Sequence, residues 1–272
     1  MYDYMATTTL AYHNIDPILF QWGFIVIRWY SLAYLSGLIF AWWQLSKMAE
    51  QPKSPFNKQQ IDDFIVWGMV GIIAGGRLGY VLFYNPSYYF SHMGDILRLW
   101  DGGLSFHGGL AGVVVTTILY AKAKKIPLFE FGDRIAVVSP IGLFFGRVAN
   151  FINGELWGSP SNLPWAMTFP SGGDVARHPS QLYEALGEGL ILYLLLSYLF
   201  KRTNISRYPG MLIGVFFLGY GLARYLVEFV RVPDAHLGLI GGFISMGQIL
   251  SLPMLAVGLG FVLYATKKAK QA

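Results

Sequence analysis

Arg147 and Asn150 stand three residues apart near the end of a long apolar run, in the stretch Gly146-Arg147-Val148-Ala149-Asn150-Phe151-Ile152-Asn153-Gly154-Glu155-Leu156-Trp157-Gly158. On a helix the two share one face and form a donor-rich patch suited to a phosphate. A charged side chain at membrane depth costs about 2.5–3.5 kcal/mol on insertion scales, so such residues face an interior cavity and serve a site or a pathway. The patch reads as the wall of a lipid-headgroup site.

Four further groups carry candidate chemistry. His107 lies in Asp101-Gly102-Gly103-Leu104-Ser105-Phe106-His107-Gly108-Gly109, at the outer mouth of another apolar run. Histidine titrates near neutrality and accepts a proton from a thiol, whose ordinary pKa is about 8.5. The flanking glycines favour that use because they let a substrate approach closely, against an interfacial histidine bonded to a backbone carbonyl. Tyr220, Arg224, Glu228 and Arg231 repeat at helical spacing along one face. There Arg224 and Glu228 either neutralise each other, or Arg224 points its fork at a phosphate while Glu228 holds it. Arg77 and Tyr80 pair in Gly75-Gly76-Arg77-Leu78-Gly79-Tyr80, and Tyr30 follows Arg28 and Trp29; both tyrosines lie deeper than the interfacial Trp22, Trp29, Tyr84 and Tyr88. Glu184 and Glu188 put two carboxylates on one helix face, with a buried arginine as their most economical partner.

Several standard sites are excluded. The chain has no H-E-x-x-H, no Walker loop and no Gly-x-Ser-x-Gly elbow. Ser105 and His107 are two apart and diverge on a helix, which gives a serine–histidine protease no local support. No group of histidines and carboxylates has metal-ligand spacing, and there is no cysteine, so a metal-free and cofactor-free site is expected.

The elements that must position these residues follow from composition. Of 272 residues, 54% are hydrophobic, 17% aromatic and only 13% charged, and the mean hydropathy is +0.46. A soluble domain has about 25% charged residues. Apolar runs near the length needed to cross a bilayer recur along the chain, which predicts spans at about 23–46, 62–84, 104–121, 132–152, 180–200, 210–230 and 245–266. Residues 1–21 hold no Lys or Arg, so a signal peptide is not expected there and the first run stays in the mature protein.

The net charge of +5 is distributed by topology rather than gathered for nucleic acid. Twelve of the 20 basic residues fall in segments 47–61, 122–131, 201–209 and 267–272, against Arg98, Arg177 and Arg231 in the opposite segments. The positive-inside rule then puts the N-terminus outside and the C-terminus in the cytoplasm. Of the five arginines within spans, Arg134 sits at a cytoplasmic end, where it can snorkel, while Arg28, Arg77, Arg147 and Arg224 lie toward outward ends. A site built from them opens toward the outer half of the membrane. The outward segments 85–103 and 153–179 are long enough to carry recognition. Gly71, Gly75 and Gly79, with Gly108 and Gly112, form small-residue ridges that read as close helix packing.

These residues together resemble the bacterial prolipoprotein diacylglyceryl transferase family. The resemblance rests on Trp29-Tyr30, Gly76-Arg77-Leu78-Gly79-Tyr80, Trp100-Asp101-Gly102-Gly103 running into Ser105-Phe106-His107-Gly108-Gly109, Gly146-Arg147 with Asn150 to Gly158, Arg177-His178-Pro179-Ser180-Gln181-Leu182-Tyr183-Glu184, and Ser245-Met246-Gly247-Gln248. It implies an enzyme of seven transmembrane helices in the bacterial inner membrane; with the residue reading, the expectation is an all-α polytopic protein in one domain over residues 1–272, a monomer, with extended periplasmic loops and a site toward the periplasm. It further implies transfer of the diacylglyceryl group of phosphatidylglycerol to the thiol of the lipobox cysteine of a prolipoprotein signal peptide, with glycerol phosphate as by-product. Tyr30, His107, Arg147, Asn150, Gly154, Arg224 and Glu228 are the functional positions it implies, Arg147 being the lipid-binding one. With the residue reading, the expected catalytic set is His107, Arg147, Arg224, Tyr30, Asn150 and Glu228, and the expected substrate-binding set is Arg147, Arg224, Arg77, Tyr80 and Gly154. Rival readings are a transporter, which would need an inverted repeat and paired broken helices that the sequence does not show, and an intramembrane phospholipid hydrolase.

Overall fold

The computed structural model describes residues 10–11, 15–23, 25–232 and 239–271. Strand β1 (Leu10–Ala11) precedes a hairpin of β2 (Ile18–Trp22) and β3 (Ile25–Arg28), after which α1 runs Trp29–Ala49. The helix expected from about residue 23 therefore starts six residues later. Gly23 at φ +59 turns the chain, and the β-branched Ile25, Val26 and Ile27 pair back onto Trp22, Gln21 and Phe20 instead of joining the helix. Arg28 ends that strand, exposed, rather than lying within a span.

Helix α2 (Lys58–Phe83) begins at a capping box in which the Asn57 side chain accepts from the Gln60 N–H and the Gln60 side chain accepts from the Asn57 N–H. Short α3 (Pro86–Ser91) follows, then α4 (Phe106–Ala123), with Ser105 as N-cap, and α5 (Leu128–Ile152). Strand β4 (Met167–Thr168) pairs in parallel with β1. Helix α6 (Ser180–Glu184) passes through a π-turn at Ala185–Ile191 into α7 (Leu192–Arg202). Helix α8 (Met211–Val227), the hairpin of β5 (Leu239–Ile240) and β6 (Ile244–Ser245), and α9 (Met246–Ala269) complete the order.

The described residues are thus mainly helical, with three short two-stranded ladders among them that hydropathy alone did not foretell. Among the described residues, four helical stretches are long and apolar enough to cross a membrane: Lys58–Phe83, Leu128–Ile152, Ser180–Arg202 and Met246–Ala269. Their outer faces carry large exposed apolar side chains, among them Val66, Trp67, Val70 and Ile73 on α2. Such a surface belongs in lipid, and the architecture is that of a polytopic membrane protein.

The chain divides into two compact units, Trp42–Gly132 and the remainder, Met1–Ala41 with Asp133–Ala272. In the smaller unit α2 and α4 cross with backbones nearly touching. A Cβ added at Gly75 would meet the Gly108 carbonyl and lie 2.8 Å from Gly112 Cα, so the expected glycine ridges do interlock. Phe64, Tyr120 and Phe131 close the other end of this pair, with the Tyr120 hydroxyl donating to the Gln60 carbonyl at 2.7 Å. In the larger unit, buried Asp133 on α5 accepts from the N–H groups of Gly210 and Ile213, at 2.8 and 2.9 Å. It caps the start of α8 from a different helix, in place of the N-cap Gly210, which has no side chain to do so.

Candidate functional site

Glu184 ends α6 and Glu188 lies in the π-turn that follows. Gly189 lets this widened turn close on α5, since a Cβ there would stand 2.8 Å from Phe144 Cα. The two carboxylates meet Arg147 from α5: Nη1 lies 3.1 Å from Glu184 Oε2 and Nη2 3.2 Å from Glu188 Oε2. Arg224 on α8 bonds to Glu184 Oε1 and lies 2.5 Å from Glu228 Oε1. Arg231 reaches the same two residues, at 2.6 Å to Glu184 and 3.1 Å to Glu228. Ser245, the N-cap of α9, donates to Glu228 Oε2 at 2.6 Å.

Three arginines are thereby balanced by three glutamates. The charges are not equally deep: the glutamate side chains are 0%, 0% and 5% exposed, the arginines 17%, 19% and 12%. Carboxylates form the floor and guanidiniums the accessible edge. Each guanidinium carries five N–H donors in a rigid fork, so an arginine held by a glutamate from below retains donors for an anion at its edge. The floor also supplies the compensation that a buried guanidinium requires.

Asn150, buried at the end of α5, donates through Nδ2 to Glu155 Oε1 at 2.7 Å, and Asn153 donates to the same oxygen at 3.3 Å. Gln181 Nε2 donates to the Glu155 carbonyl at 2.7 Å and the Ser180 hydroxyl to that of Leu156 at 3.0 Å, so the chain leaving α5 is stitched to the start of α6. Gly154 takes φ +65, a conformation that favours glycine, and its carbonyl accepts from the Ser171 hydroxyl at 2.7 Å. Tyr30, in the first turn of α1, packs its ring 5.1 Å from that of Tyr34, which is within electrostatic reach of Arg147 and Glu155. The larger unit therefore holds Arg147, Arg224, Glu228, Asn150, Gly154 and Tyr30, of which Arg147, Arg224 and Glu228 meet in one ion-pair network.

His107, Arg77 and Tyr80 belong to the smaller unit. His107 is exposed in the first turn of α4, whose N-cap Ser105 accepts from the Gly108 N–H at 3.2 Å. Arg77, expected among the substrate-binding residues, is buried, and its side chain bonds to the chain itself. Nε donates to the Ile96 carbonyl at 2.7 Å, Nη1 to those of Gly102 and Gly103 at 2.5 and 3.3 Å, and Nη2 to those of Asp95 and Arg98 at 2.6 and 3.1 Å. All five donors are committed to the loop backbone. Tyr80 stacks on Tyr84 at 5.5 Å and lies under Gly103, where a Cβ would come 2.5 Å from its ring.

Sequence reasoning saw Glu184 and Glu188 as counter-charges but not that one carboxylate serves three arginines. Arg231 was legible as a neighbour of Arg224 by spacing. The helix, however, ends at Val227, and Arg231 stands instead on an isolated bridge to Gly158. Ser245 gave only the signal of a capping box with Gln248.

Comparison with known proteins finds relatives over nearly the whole chain. The model of the family described as prolipoprotein diacylglyceryl transferase matches residues 17–264. A protein named phosphatidylglycerol–prolipoprotein diacylglyceryl transferase from Pseudoalteromonas translucida (strain TAC 125) is 50% identical over 262 residues, covering 96% of this chain and 97% of the relative. Proteins of the same name from Rhodospirillum rubrum and Paramagnetospirillum magneticum are 48% identical over 263 residues and 49% over 267. The first alignment covers 96% of both chains, the second 98% of this chain and 99% of the relative.

Proposed function

This chain belongs to the prolipoprotein diacylglyceryl transferase family, and from that premise we propose that the arginine edge of the larger unit holds the phosphate of phosphatidylglycerol during transfer. The enzyme moves the diacylglyceryl group to the lipobox cysteine of a prolipoprotein, the first step of lipoprotein maturation. The cysteine sulfur attacks the glycerol carbon that bears the phosphate ester. A C–S bond forms, the C–O bond breaks, and its electron pair leaves on the phosphate oxygen as glycerol phosphate.

Two demands follow, and the residues divide between them. The departing phosphate gains charge, which Arg147 and Arg224 stabilise by charge-assisted hydrogen bonds. The attacking thiol must lose its proton, and His107 takes it, while Tyr30, Asn150 and Glu228 orient the arginine side of the site. Gly154 and Tyr80 serve substrate binding. The carrying observation is the unequal depth of the charges, with glutamates sealed in and arginines at the accessible edge.

Residues 1–272 act as one functional domain with seven spans in the bacterial inner membrane, as a monomer with no nucleic-acid partner. The surplus of basic residues in segments 47–61, 122–131, 201–209 and 267–272 supports a cytoplasmic C-terminus, an outer N-terminus and a site facing the periplasm.

Purified protein given labelled phosphatidylglycerol and a lipobox peptide tests the reaction. Label should move to the cysteine peptide and not to its Cys→Ser counterpart. Glycerol phosphate released equally without peptide would mean hydrolysis and would refute transfer.

A further inference from the structure

We propose that Arg77 is a positioning residue that fixes the turn carrying His107; this rests on the reading of His107 as the thiol base. The segment between α3 and α4 has little core of its own. It consists of two short 3-10 turns, Met93–Leu97 and Leu99–Asp101, and its largest apolar side chains face outward, Leu97 and Trp100 each 78% exposed. Apolar burial therefore does not hold it.

Arg77 does. The residue is 4% exposed, and its guanidinium lies among the carbonyls of Asp95, Ile96, Arg98, Gly102 and Gly103 and donates to all of them. Its charge is met by carbonyl dipoles, and the Tyr89 ring closes one side at 5.1 Å. The neighbouring residue completes the clamp: the Ser105 N–H donates to the Gly76 carbonyl at 2.9 Å. Consecutive residues of α2 thus grip Gly102, Gly103 and Ser105, and Ser105 in turn caps the helix turn in which His107 stands. Gly102 and Gly103, at φ +79 and +78, bring both carbonyls round to one guanidinium. A lysine has one nitrogen and three donors and cannot span five carbonyls.

The test uses full-length enzyme in phosphatidylglycerol vesicles, comparing Arg77→Lys, His107→Gln and the double variant by hydrogen exchange and by steady-state kinetics. Arg77→Lys should remove exchange protection from residues 96–105. It should also lower kcat about 10–100-fold, the scale of an ångström-level misplacement, with KM for the phospholipid within about twofold. In the His107→Gln background the same substitution should change kcat by less than about twofold, because the effect runs through the histidine. An equal loss in both backgrounds, or unchanged protection with unchanged kcat, overturns the proposal. Parental kcat in His107→Gln alone overturns it at its premise, and the exchange result, which needs no catalysis, tells the two failures apart. If Arg77→Lys does not fold, Gly102→Ala disturbs the clamp from the loop side, since its Cβ would meet nothing within 4 Å while its φ of +79 strains an alanine; the same outcomes decide.

Discussion

Arg147 Nη1 lies 3.1 Å from Oε2 of a Glu184 that has no solvent exposure, and the other oxygen of that carboxylate serves Arg224 and Arg231 together. Removing Glu184 leaves three guanidiniums without their shared counter-charge. Breaking a buried ion pair from one side costs about 3–5 kcal/mol. Glu184→Ala should therefore lower unfolding stability in detergent by that order, measured by denaturant titration. A variant within about 1 kcal/mol of the parent would show that the glutamate is not the floor of the network.

Arg147→Lys keeps the charge and loses the planar fork that meets Glu184 and Glu188 with separate nitrogens. Removing one preorganised donor at a developing oxyanion costs about 10²–10³ in kcat. The lysine variant should fall in that range in the transfer assay while remaining folded in the membrane. Activity within about twofold of the parent would reduce Arg147 to a generic positive charge.

The helices were legible because apolar runs of spanning length have few other fates, and each expected span holds a helix within a few residues, the first excepted. That one failed locally: Ile25, Val26 and Ile27 are as apolar as a helix requires, and only their pairing with β2 reveals a strand. Site residues were legible where a charge in lipid demands a partner, as with Arg147, Glu184 and Glu188. Arg77 obeyed the same rule, yet the partners it has here were not legible. Its partners are backbone carbonyls 18 to 26 residues further on, and carbonyls leave no mark in a sequence. Arg231 looked like a loop residue by count and a helix residue by spacing, and tertiary contacts decided for the network.

The glycine crossing of α2 and α4 yields an opposed pair of expectations. Gly75→Ala pushes a methyl into the Gly108 carbonyl, and overpacking of this kind costs about 1–3 kcal/mol. Gly142→Ala on α5 meets nothing within 4 Å and exchanges glycine for a better helix former. Thermal unfolding of the two variants should move in opposite directions, or stay level for Gly142→Ala. Equal destabilisation would contradict the crossing.

Acid should loosen the loop that Arg77 holds. The Tyr88 hydroxyl, donating at 2.6 Å, and then Arg98, at 3.2 Å, hold the Asp95 carboxyl below its ordinary range. A carboxylate lowered in the folded state adds stability that is complete above the unfolded value of about 3.9 and fades as pH falls through the folded value. Hydrogen-exchange protection across residues 86–103 should decline in that acid window for the parent and show no such step in Asp95→Asn. Superimposable profiles would remove Asp95 from the account.

The most direct measurement is transfer of labelled diacylglyceryl to a lipobox peptide by Arg147→Ala enzyme whose membrane insertion and fold match the parent. With the headgroup phosphate held at the arginine edge, label on the cysteine should disappear. Transfer at the parental rate would place the phosphate elsewhere and leave the six-charge network a purely structural device.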